Sequence, residues 1–325
     1  MSANRPPAVA GSFYPADPRR LALDLRHFLD EVKPTRFPLP NPLPEGEGAN
    51  ESLREVHVNG HGEYATPDDE TSHARFPLPN PLPEGEGANE SLREVHVKAL
   101  IVPHAGYRYS GAIAASAYAT LRPLAARIRR VVLLGPTHRV AVRGLALPAA
   151  TTFSTPLGEI KLDTDAMHEL ARLPQVVVSD AVHAQEHSLE VQLPFLQTVL
   201  QDFKLVPLAV GDASAEEVAA VLEAVWGGAE TLIVISSDLS HYLPAEVSHL
   251  VDRKTADEIL KLRPLGSHQQ ACGATPLNGL LLAARAHHLQ PHLLDLRNSG
   301  DTAGPHDSVV GYAAFAFTGE ADHDH

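Results

Sequence analysis

Three short apolar runs in this chain each end in a turn that carries a histidine. The runs and their histidines are 99–102 with His104, 131–134 with His138, and 232–235 with His241. Short β-branched runs that are followed by Gly, Pro or Ser are typical of buried parallel strands. The loops at the carboxyl ends of parallel strands form the binding crevice of an open α/β sheet. We therefore expect the three turns to deliver their histidines to one pocket.

Composition limits the classes of protein and of partner. The chain has 325 residues, enough for one large or two ordinary domains, and 44% of them are apolar. A net charge of -14 disfavours a nucleic-acid surface and docking on anionic lipid. The single cysteine excludes an internal disulfide and suits a reducing compartment. Residues 1–7 lack the apolar core of a signal peptide, and no run reaches the roughly 18 apolar residues of a spanning helix. We expect a cytoplasmic protein that binds neither nucleic acid nor membrane.

The string RFPLPNPLPEGEGANESLREVHV occurs twice without a single difference, at residues 36–58 and 75–97. The segment 36–97 carries 12 acidic residues against four arginines and no lysine. Alternating prolines followed by Glu-Gly-Glu-Gly favour extended or disordered chain, and two units are too few for a solenoid. We predict that 36–97 is a disordered insert within a single domain that spans 1–325. A Pro-rich docking motif is the alternative, although the segment lacks the basic flank of many such ligands.

Strand-like and helix-like patterns alternate along the rest of the chain. Apolar periodicity predicts helices over 110–121 and 188–200, with the second helix kinked at Pro194. A hairpin is predicted between residues 145–148 and 158–162. Such alternation of strands and helices indicates one layered α/β structure.

The first two histidine turns have the composition of a ligand site. His104 lies between Pro and Ala-Gly, and His138 follows Gly-Pro-Thr. Imidazole is a common metal ligand, but each ring could instead bond to the backbone, and the second turn could bind an anion through Thr137. Cys272, just ahead of a helix predicted near Pro276, is the third candidate. A helix N-terminus lowers the pKa of a thiol and favours the thiolate that binds metals, whereas most free cysteines are small buried hydrophobes.

Two further turns carry pairs of titratable residues. Asp238 and His241 are three residues apart after the third strand. The carboxylate could fix the tautomer of the imidazole beside a metal, the pair could act as general acid and base, or the turn could simply cap a helix. Glu186 and His187 form the second pair, in which His187 could face the pocket as a proton donor. We interpret His183, four residues before His187, as a surface residue.

Several long motifs are similar to those of one known family and follow the same order. They are AGSFYPAD at 10–17, VPHAGYRYSG at 102–111, LLGPTHR at 133–139, EHSLEVQLPFL at 186–196, SSDLSHY at 236–242, ACGATP at 271–276 and the closing SVVGYAAFAF. On these residues the chain resembles the Memo family, which includes the bacterial proteins called AmmeMemoRadiSam system protein B. The resemblance covers nearly the whole chain except 36–97.

The resemblance implies a three-layer α/β sandwich around a mostly parallel central sheet, as in class III extradiol dioxygenases. It implies one ion, Fe(II) or copper, held by His104, His138 and Cys272. The catalytic positions that it suggests are Asp238, His241 and His187. It also suggests other AmmeMemoRadiSam system proteins as partners.

These observations lead to hypotheses of different classes. The first is a metal protein with redox or oxygenase-like activity, in which Asp238, His241 and His187 relay protons. Its nitrogen and sulfur ligands differ from the two histidines and one carboxylate of non-haem iron oxygenases. The second is a non-enzymatic module whose crevice binds a peptide or a small anion through His104 and His138. A hydrolase that uses Asp238 and His241 with a metal-bound water is the third.

Overall fold

The computed structural model describes residues 3–33, 35, 37 and 95–320. The strands in this part of the chain are Asn4–Arg5 (β1), Val95–Val102 (β2), Arg130–Pro136 (β3), Leu145–Leu147 (β4), Thr152–Thr155 (β5), Gly158–Lys161 (β6), Val176–Val178 (β7), Lys204–Val210 (β8), Thr231–Ser236 (β9), His241–Leu243 (β10), Gln290–Asn298 (β11) and Val309–Glu320 (β12). The helices are Pro18–Glu31 (α1), Tyr107–Tyr118 (α2), Thr164–Leu170 (α3), Asp180–Ala184 (α4), Leu193–Val199 (α5), Ala215–Ala224 (α6), Ala245–Leu260 (α7) and Ala274–Ala286 (α8). Short 3-10 segments are Ala119–Leu124, Glu190–Gln192 and Ser299–Asp301.

A large central sheet organises the described part of the chain. Its strands follow the order β12, β2, β9, β3, β8, β4, β7, and β10 and β11 both pair with β12. The four strands β2, β9, β3 and β8 are mutually parallel, whereas β12 is antiparallel to β2 and β4 is antiparallel to β8. The sheet is therefore mixed, with a parallel centre that has antiparallel neighbours on both sides. A separate small sheet has the order β1, β5, β6.

The parallel centre explains the apolar runs of the sequence. The interiors of β2, β3 and β9 are almost entirely buried, because the central strands are covered on both faces. In register, Ile101 pairs with Ile235, and Ile235 pairs with Leu134 on its other side. The prediction of three buried parallel strands is confirmed, and their carboxyl ends lie at the same edge of the sheet.

Helices cover both faces of the sheet. Ser116 of α2 donates to Asp295 of β11 at 3.1 Å, and Asn298 of the same strand donates to the carbonyl of Ala245 in α7 at 3.3 Å. Residues an odd number apart point to opposite faces of a strand, so α2 and α7 lie on opposite sides of β11. The predicted layered α/β class, with a large sheet between helices, is confirmed. None of the described helices is long and apolar enough to cross a membrane.

Two local predictions were wrong. The strand Leu145–Leu147 does not form a hairpin with 158–162, because it pairs with β8 and β7, and the hairpin joins β5 to β6. Pro194 does not kink a helix either, because it lies in the first turn of α5. At that position the missing N–H of proline has no helical partner to lose, and its fixed φ suits the start of a helix.

The end of the predicted insert also needs correction. Residues 95–97 belong to β2, where Val97 is buried and pairs with Thr318 of β12. Near the start of the insert, the ring of Phe37 lies 4.8 Å from that of His292. Residues 38–94 lie outside the described part of the chain, so their disorder and the single-domain organisation remain predictions.

Candidate metal centre

Four loops meet at the carboxyl edge of the parallel strands. His104 follows β2, His138 follows β3 and Asp238 follows β9. The fourth loop, residues 185–189, reaches β3 because Gly135 has no side chain: a Cβ there would lie 2.8 Å from Oγ of Ser188. Two of the three predicted histidine turns, those of His104 and His138, come together here, whereas His241 of the third turn is not a member of the imidazole cluster.

Three imidazoles form the centre of this site. The ligand nitrogens of His104, His138 and His187 all lie within 4.8 Å of one another, close enough to hold one metal ion. The ring of His187 stacks on that of His138 with centroids 4.5 Å apart, and the ring of His104 is edge-on to both. His104 is buried and His138 lies on the exposed side, so the cluster opens towards solvent at His138.

The tautomers of two rings are set by hydrogen bonds of Nδ1. Nδ1 of His104 lies 2.9 Å from Oγ of Ser236, and Nδ1 of His138 lies 2.9 Å from Oε1 of Glu186. Each ring can therefore direct Nε2 at a shared ion, as hydrogen-bonded metal ligands do. Burial, followed by the charge of His138, lowers the pKa of His104 to about 3, which keeps its ring neutral.

Glu186 is the anion that organises the His138 side of the site. Besides the ring of His138, its carboxylate accepts from the backbone N–H groups of His138 at 2.5 Å, His187 at 2.9 Å and Ser188 at 2.9 Å. Burial alone would raise the pKa of Glu186, but the hydrogen bonds with His138 and the backbone outweigh it and lower that pKa to about 2. The carboxylate is therefore ionised throughout the physiological range.

His187 differs from the other two imidazoles. Its Nδ1 is buried and makes no hydrogen bond within the described part of the chain, although Oε1 of Glu186 lies 3.3 Å away without the required geometry. The ring is held by packing instead, between His138 and the ring of Phe13 at a centroid distance of 4.7 Å. Burial, followed by the charge of His104, lowers the pKa of His187 to about 4. A neutral ring with an unpaired nitrogen suits metal ligation, and the role of His187 as a proton donor stays a prediction.

Cys272 lies beside the cluster and is not one of its three members. Its Sγ is 3.3 Å from Nε2 of His104. Metal ligation by this sulfur stays a prediction. The expected lowering of its pKa by the start of α8 is wrong. Burial and the carboxylate of Asp238 raise the pKa of the thiol to about 12. A metal ion would have to displace the thiol proton on binding.

Asp238 and His241 both lie near the cluster, but they do not pair with each other. Oδ1 of Asp238 accepts from the backbone N–H of His104 at 2.7 Å, and Nδ1 of His241 lies 2.8 Å from the carbonyl of Leu239. The expectation that Asp238 orients His241 is therefore wrong, since a backbone carbonyl of the same turn does so. Burial raises the pKa of Asp238, although the N–H of His104 and the neighbouring histidines oppose this shift.

His183 is buried, contrary to its interpretation as a surface residue. Its Nε2 lies 2.8 Å from the carbonyl of Ala146, and burial lowers its pKa to about 4. The sequence analysis also missed Ser236 and Phe13 as neighbours of the imidazoles. Both lie within the motifs SSDLSHY and AGSFYPAD, which was the only available signal for them.

A family model described as "Memo-like protein" matches residues 80–316 of the chain. The chain belongs to the Memo family. The resemblance seen in the sequence motifs is thereby confirmed, and three motifs of this Memo protein supply the imidazoles of His104, His138 and His187.

Archaeal relatives match most of the Memo chain. The MEMO1 family protein of Sulfolobus acidocaldarius is 31% identical over 328 residues, which cover 96% of this chain and 99% of the relative. That of Ignicoccus hospitalis is 30% identical over 329 residues, with 96% and 98% covered. Among solved structures, the crystal structure of uncharacterized protein JW3007 from Escherichia coli K12 aligns with 68% of this chain and 99% of its own at a TM-score of 0.46 and 14% identity.

Proposed function

We propose that this Memo protein binds one transition metal ion, Fe(II) or copper, at the cluster of three histidines and uses it in redox or oxygenase-like chemistry. The observation that carries the proposal is the arrangement of His104, His138 and His187, whose ligand nitrogens lie within 4.8 Å of one another. The hydrogen bonds of Nδ1 with Ser236 and Glu186 add to it, because they leave Nε2 of His138 available and Nε2 of His104 in contact with the thiol of Cys272.

The chemistry of the donors suits such an ion. Imidazole is a ligand for iron, copper and zinc, and a thiolate favours copper(I) among the softer ions. Cys272 lies 3.3 Å from His104 and could complete the set as a fourth ligand. When bound, such a metal supplies one-electron transfer and a site for activating dioxygen. A set of nitrogen donors with sulfur nearby, and no carboxylate among them, makes copper chemistry as suitable as iron chemistry.

The residues around the cluster have separable tasks. Burial keeps the rings of His104 and His187 neutral, the state in which imidazole binds a metal and the state least suited to an anion. Glu186 holds the ring of His138 in one tautomer. Asp238, whose pKa is raised by burial, is the carboxyl group best suited to take up and release a proton beside the cluster. The exposed side at His138 is where a substrate would approach.

Metal content after purification without oxygen tests the proposal. Wild-type protein should hold close to one iron or copper per chain, and His104→Ala, His138→Ala or His187→Ala should each lower copper(I) affinity in a competition titration by at least ~100-fold. His168→Ala is the matched control, because His168 is an exposed residue of α3. Cys272→Ser decides whether sulfur is a ligand, since unchanged affinity would remove it from the set.

Peptide or small-anion binding is the outcome that would replace the proposal. In that case wild-type protein would bind no stoichiometric metal. A ligand such as inorganic phosphate would instead bind with an affinity that depends on His104 and His138 and is indifferent to a chelator.

A further inference from the structure

The N-terminal segment, residues 5–14, is fastened to the loop that carries His187 by a single buried carboxylate. Glu190 is fully buried, and among the described residues its hydrogen-bond donors all belong to this segment. They are Nη1 of Arg5 at 2.7 Å, the N–H of Ala8 at 2.7 Å, the N–H of Val9 at 3.0 Å and the hydroxyl of Tyr14 at 2.6 Å. Burying a charged carboxylate is costly unless it is paired and hydrogen-bonded, so this attachment is specific.

Arg5 connects the same attachment to the histidine loop. Its Nε donates to the carbonyl of His183 at 2.8 Å, and its Nη2 donates to the carbonyl of Glu186 at 2.8 Å. With the bond to Glu190, one guanidinium therefore contacts the helix before the loop, the loop itself and the 3-10 segment after it. Glu186 is the residue whose carboxylate holds His138 and the backbone of His187. Lysine could not reproduce this three-way contact, because its donors come from one point.

The far end of the segment reaches the imidazole cluster. Phe13 packs on the ring of His187, and its carbonyl accepts from the backbone N–H of Tyr107 at 2.8 Å. The hydroxyl of Tyr107 donates in turn to the carbonyl of Val191, next to Glu190. Phe13 is thereby held from both sides, by the loop that it covers and by the first residue of α2.

His187 is the imidazole that needs such support. Ser236 and Glu186 orient the other two rings by hydrogen bonds, whereas Nδ1 of His187 has no hydrogen-bond partner within the described residues. We propose that Arg5, Glu190 and Phe13 are positioning residues, which hold the His187 ring in the orientation required for metal binding. The proposal rests on the proposed metal function, and it extends the site to the N-terminal segment, where Phe13 lies 174 residues before His187 in sequence.

Two variants of the full-length chain test the positioning role. Phe13→Ala removes the ring that packs on His187, and Arg5→Lys keeps the buried positive charge but loses the contacts with the carbonyls of His183 and Glu186. Phe28→Ala is the matched control, because Phe28 is an equally half-buried phenylalanine of the N-terminal region with its closest ring contacts to His27 and Tyr107. Phe13→Tyr keeps the ring and should rescue the effect. Folding is checked for each variant by circular dichroism and thermal unfolding.

The first measurement uses Co²⁺ as the probe. We expect Phe13→Ala and Arg5→Lys to weaken Co²⁺ binding by about 10- to 100-fold, as changes in groups that orient ligands do, and to alter the visible absorption of the bound Co²⁺. Phe28→Ala and Phe13→Tyr should match wild type in both. Wild-type affinity and an unchanged spectrum in Phe13→Ala and Arg5→Lys would overturn the positioning role while leaving the metal function intact.

The second measurement needs no metal and separates the two proposals. In chelator-treated protein labelled with ¹⁵N-histidine, we expect both variants to shift the ring signals of His187 and to leave those of His241 in place. If wild type binds no Co²⁺, the positions of the His187 ring signals are the remaining test of the positioning role. The absence of Co²⁺ binding would overturn the metal function; shifted His187 signals would then still show that Arg5 and Phe13 set the orientation of the ring, and unshifted signals would overturn that too.

Discussion

The two acidic loops on either side of the imidazole cluster place their carboxylates in opposite environments. Glu186 accepts one ring and three backbone N–H hydrogen bonds, and its pKa falls to about 2. Within the described residues, the carboxylate of Asp238 accepts only from the backbone N–H of His104, and burial raises its pKa. Both side chains are buried, so burial does not distinguish them. What distinguishes the two carboxylates is the number of N–H groups from which each accepts a hydrogen bond.

The difference separates a fixed anion from a group that can exchange a proton. A carboxylate with several N–H donors is held in its charged form, whereas one that is buried with few donors loses part of that preference. Where two titratable groups in one site have pKa values that move apart, they usually perform different tasks. Glu186 therefore orients the His138 ring, and Asp238 is the candidate for proton transfer. Four experiments test or refine this comparison.

Glu186→Gln should have the largest effect, which is on metal affinity. The amide keeps one acceptor oxygen but points N–H groups at donors, so the ring of His138 and the loop of His187 both lose their anchor. We expect copper(I) affinity to fall by at least ~100-fold, the upper end for groups that orient metal ligands. A competition titration measures it, with Glu159→Gln as the control because Glu159 is exposed on β6. Affinity within about threefold of wild type would remove Glu186 from the site.

Asp238→Asn should change activity more than binding. The amide oxygen can still accept from the N–H of His104, so the loops should keep their positions. We expect metal affinity to fall by about 10-fold, whereas metal-dependent oxygen uptake should fall much further because the proton-exchanging group is gone. An oxygen electrode with iron- or copper-loaded protein gives the measurement. Equal losses of binding and of turnover would contradict the division of tasks.

The two variants should alter stability with opposite signs, and both effects should fade in acid. The unfolded chain protonates Glu186 near pH 4.3, and the folded chain does so near pH 2, so the unfolded state binds more protons between these values. Glu186 therefore contributes up to about 3 kcal/mol above pH 5 that is lost as the pH falls towards 2. The pKa of Asp238 is raised on folding, so its charged form destabilises the folded protein at neutral pH. Asp238→Asn should therefore stabilise the protein at neutral pH, and this gain should disappear below about pH 4, where the carboxyl group is protonated in both states.

Urea unfolding of metal-free protein between pH 3 and pH 7 measures both differences. Histidines 104, 183 and 187, whose pKa values lie at about 3 to 4, add a loss of stability below pH 6.5. The charge of Glu186 raises the pKa of all three rings, and that of Asp238 raises the pKa of His187. The difference between each variant and wild type therefore measures the carboxyl group together with its effect on these histidines. Two variants that shift stability in the same direction would show that the loops do not differ as described.

Removal of residues 38–94 should have the smallest effect. The duplicated, acidic and proline-rich composition predicts no packed core for this segment. Replacing it by a short Gly-Ser linker, while keeping Phe37 and β2, should change the melting temperature by less than about 2 °C and leave Co²⁺ binding unchanged. Differential scanning calorimetry provides the test. A loss of more than about 5 °C would indicate that the segment contributes to the folded protein.

The sequence predicted those parts of the site that depend on a local pattern. Apolar runs that end in Gly, Pro or Ser placed His104 and His138 at the same sheet edge, because parallel strands present their carboxyl ends together. The α/β class followed from the alternation of strands and helices.

The predictions failed for residues whose environment is determined by contacts with residues distant in sequence. His183 has the local sequence of an exposed loop, and it is buried because β4 supplies a carbonyl to its ring. The thiol of Cys272 lies just before a helix, but burial beside Asp238 outweighs the helix and raises its pKa. His187 enters the cluster only because its loop packs against Gly135, a contact across some fifty residues that no local pattern encodes.

The contact between Gly135 and Ser188 has a counterpart on the other side of the site. A Cβ at Gly273, the residue after Cys272, would lie 2.7 Å from Cβ of Ser237. At both places a glycine of one motif meets a serine of another, so neither residue can enlarge unless the other shrinks. Across Memo sequences these pairs should therefore covary, with replacement of a glycine by alanine accompanied by glycine at the matching serine. The spacing of the loops is thus set by two matched pairs of positions, so the geometry of the site should tolerate changes in its ligands and rim better than changes at these four residues.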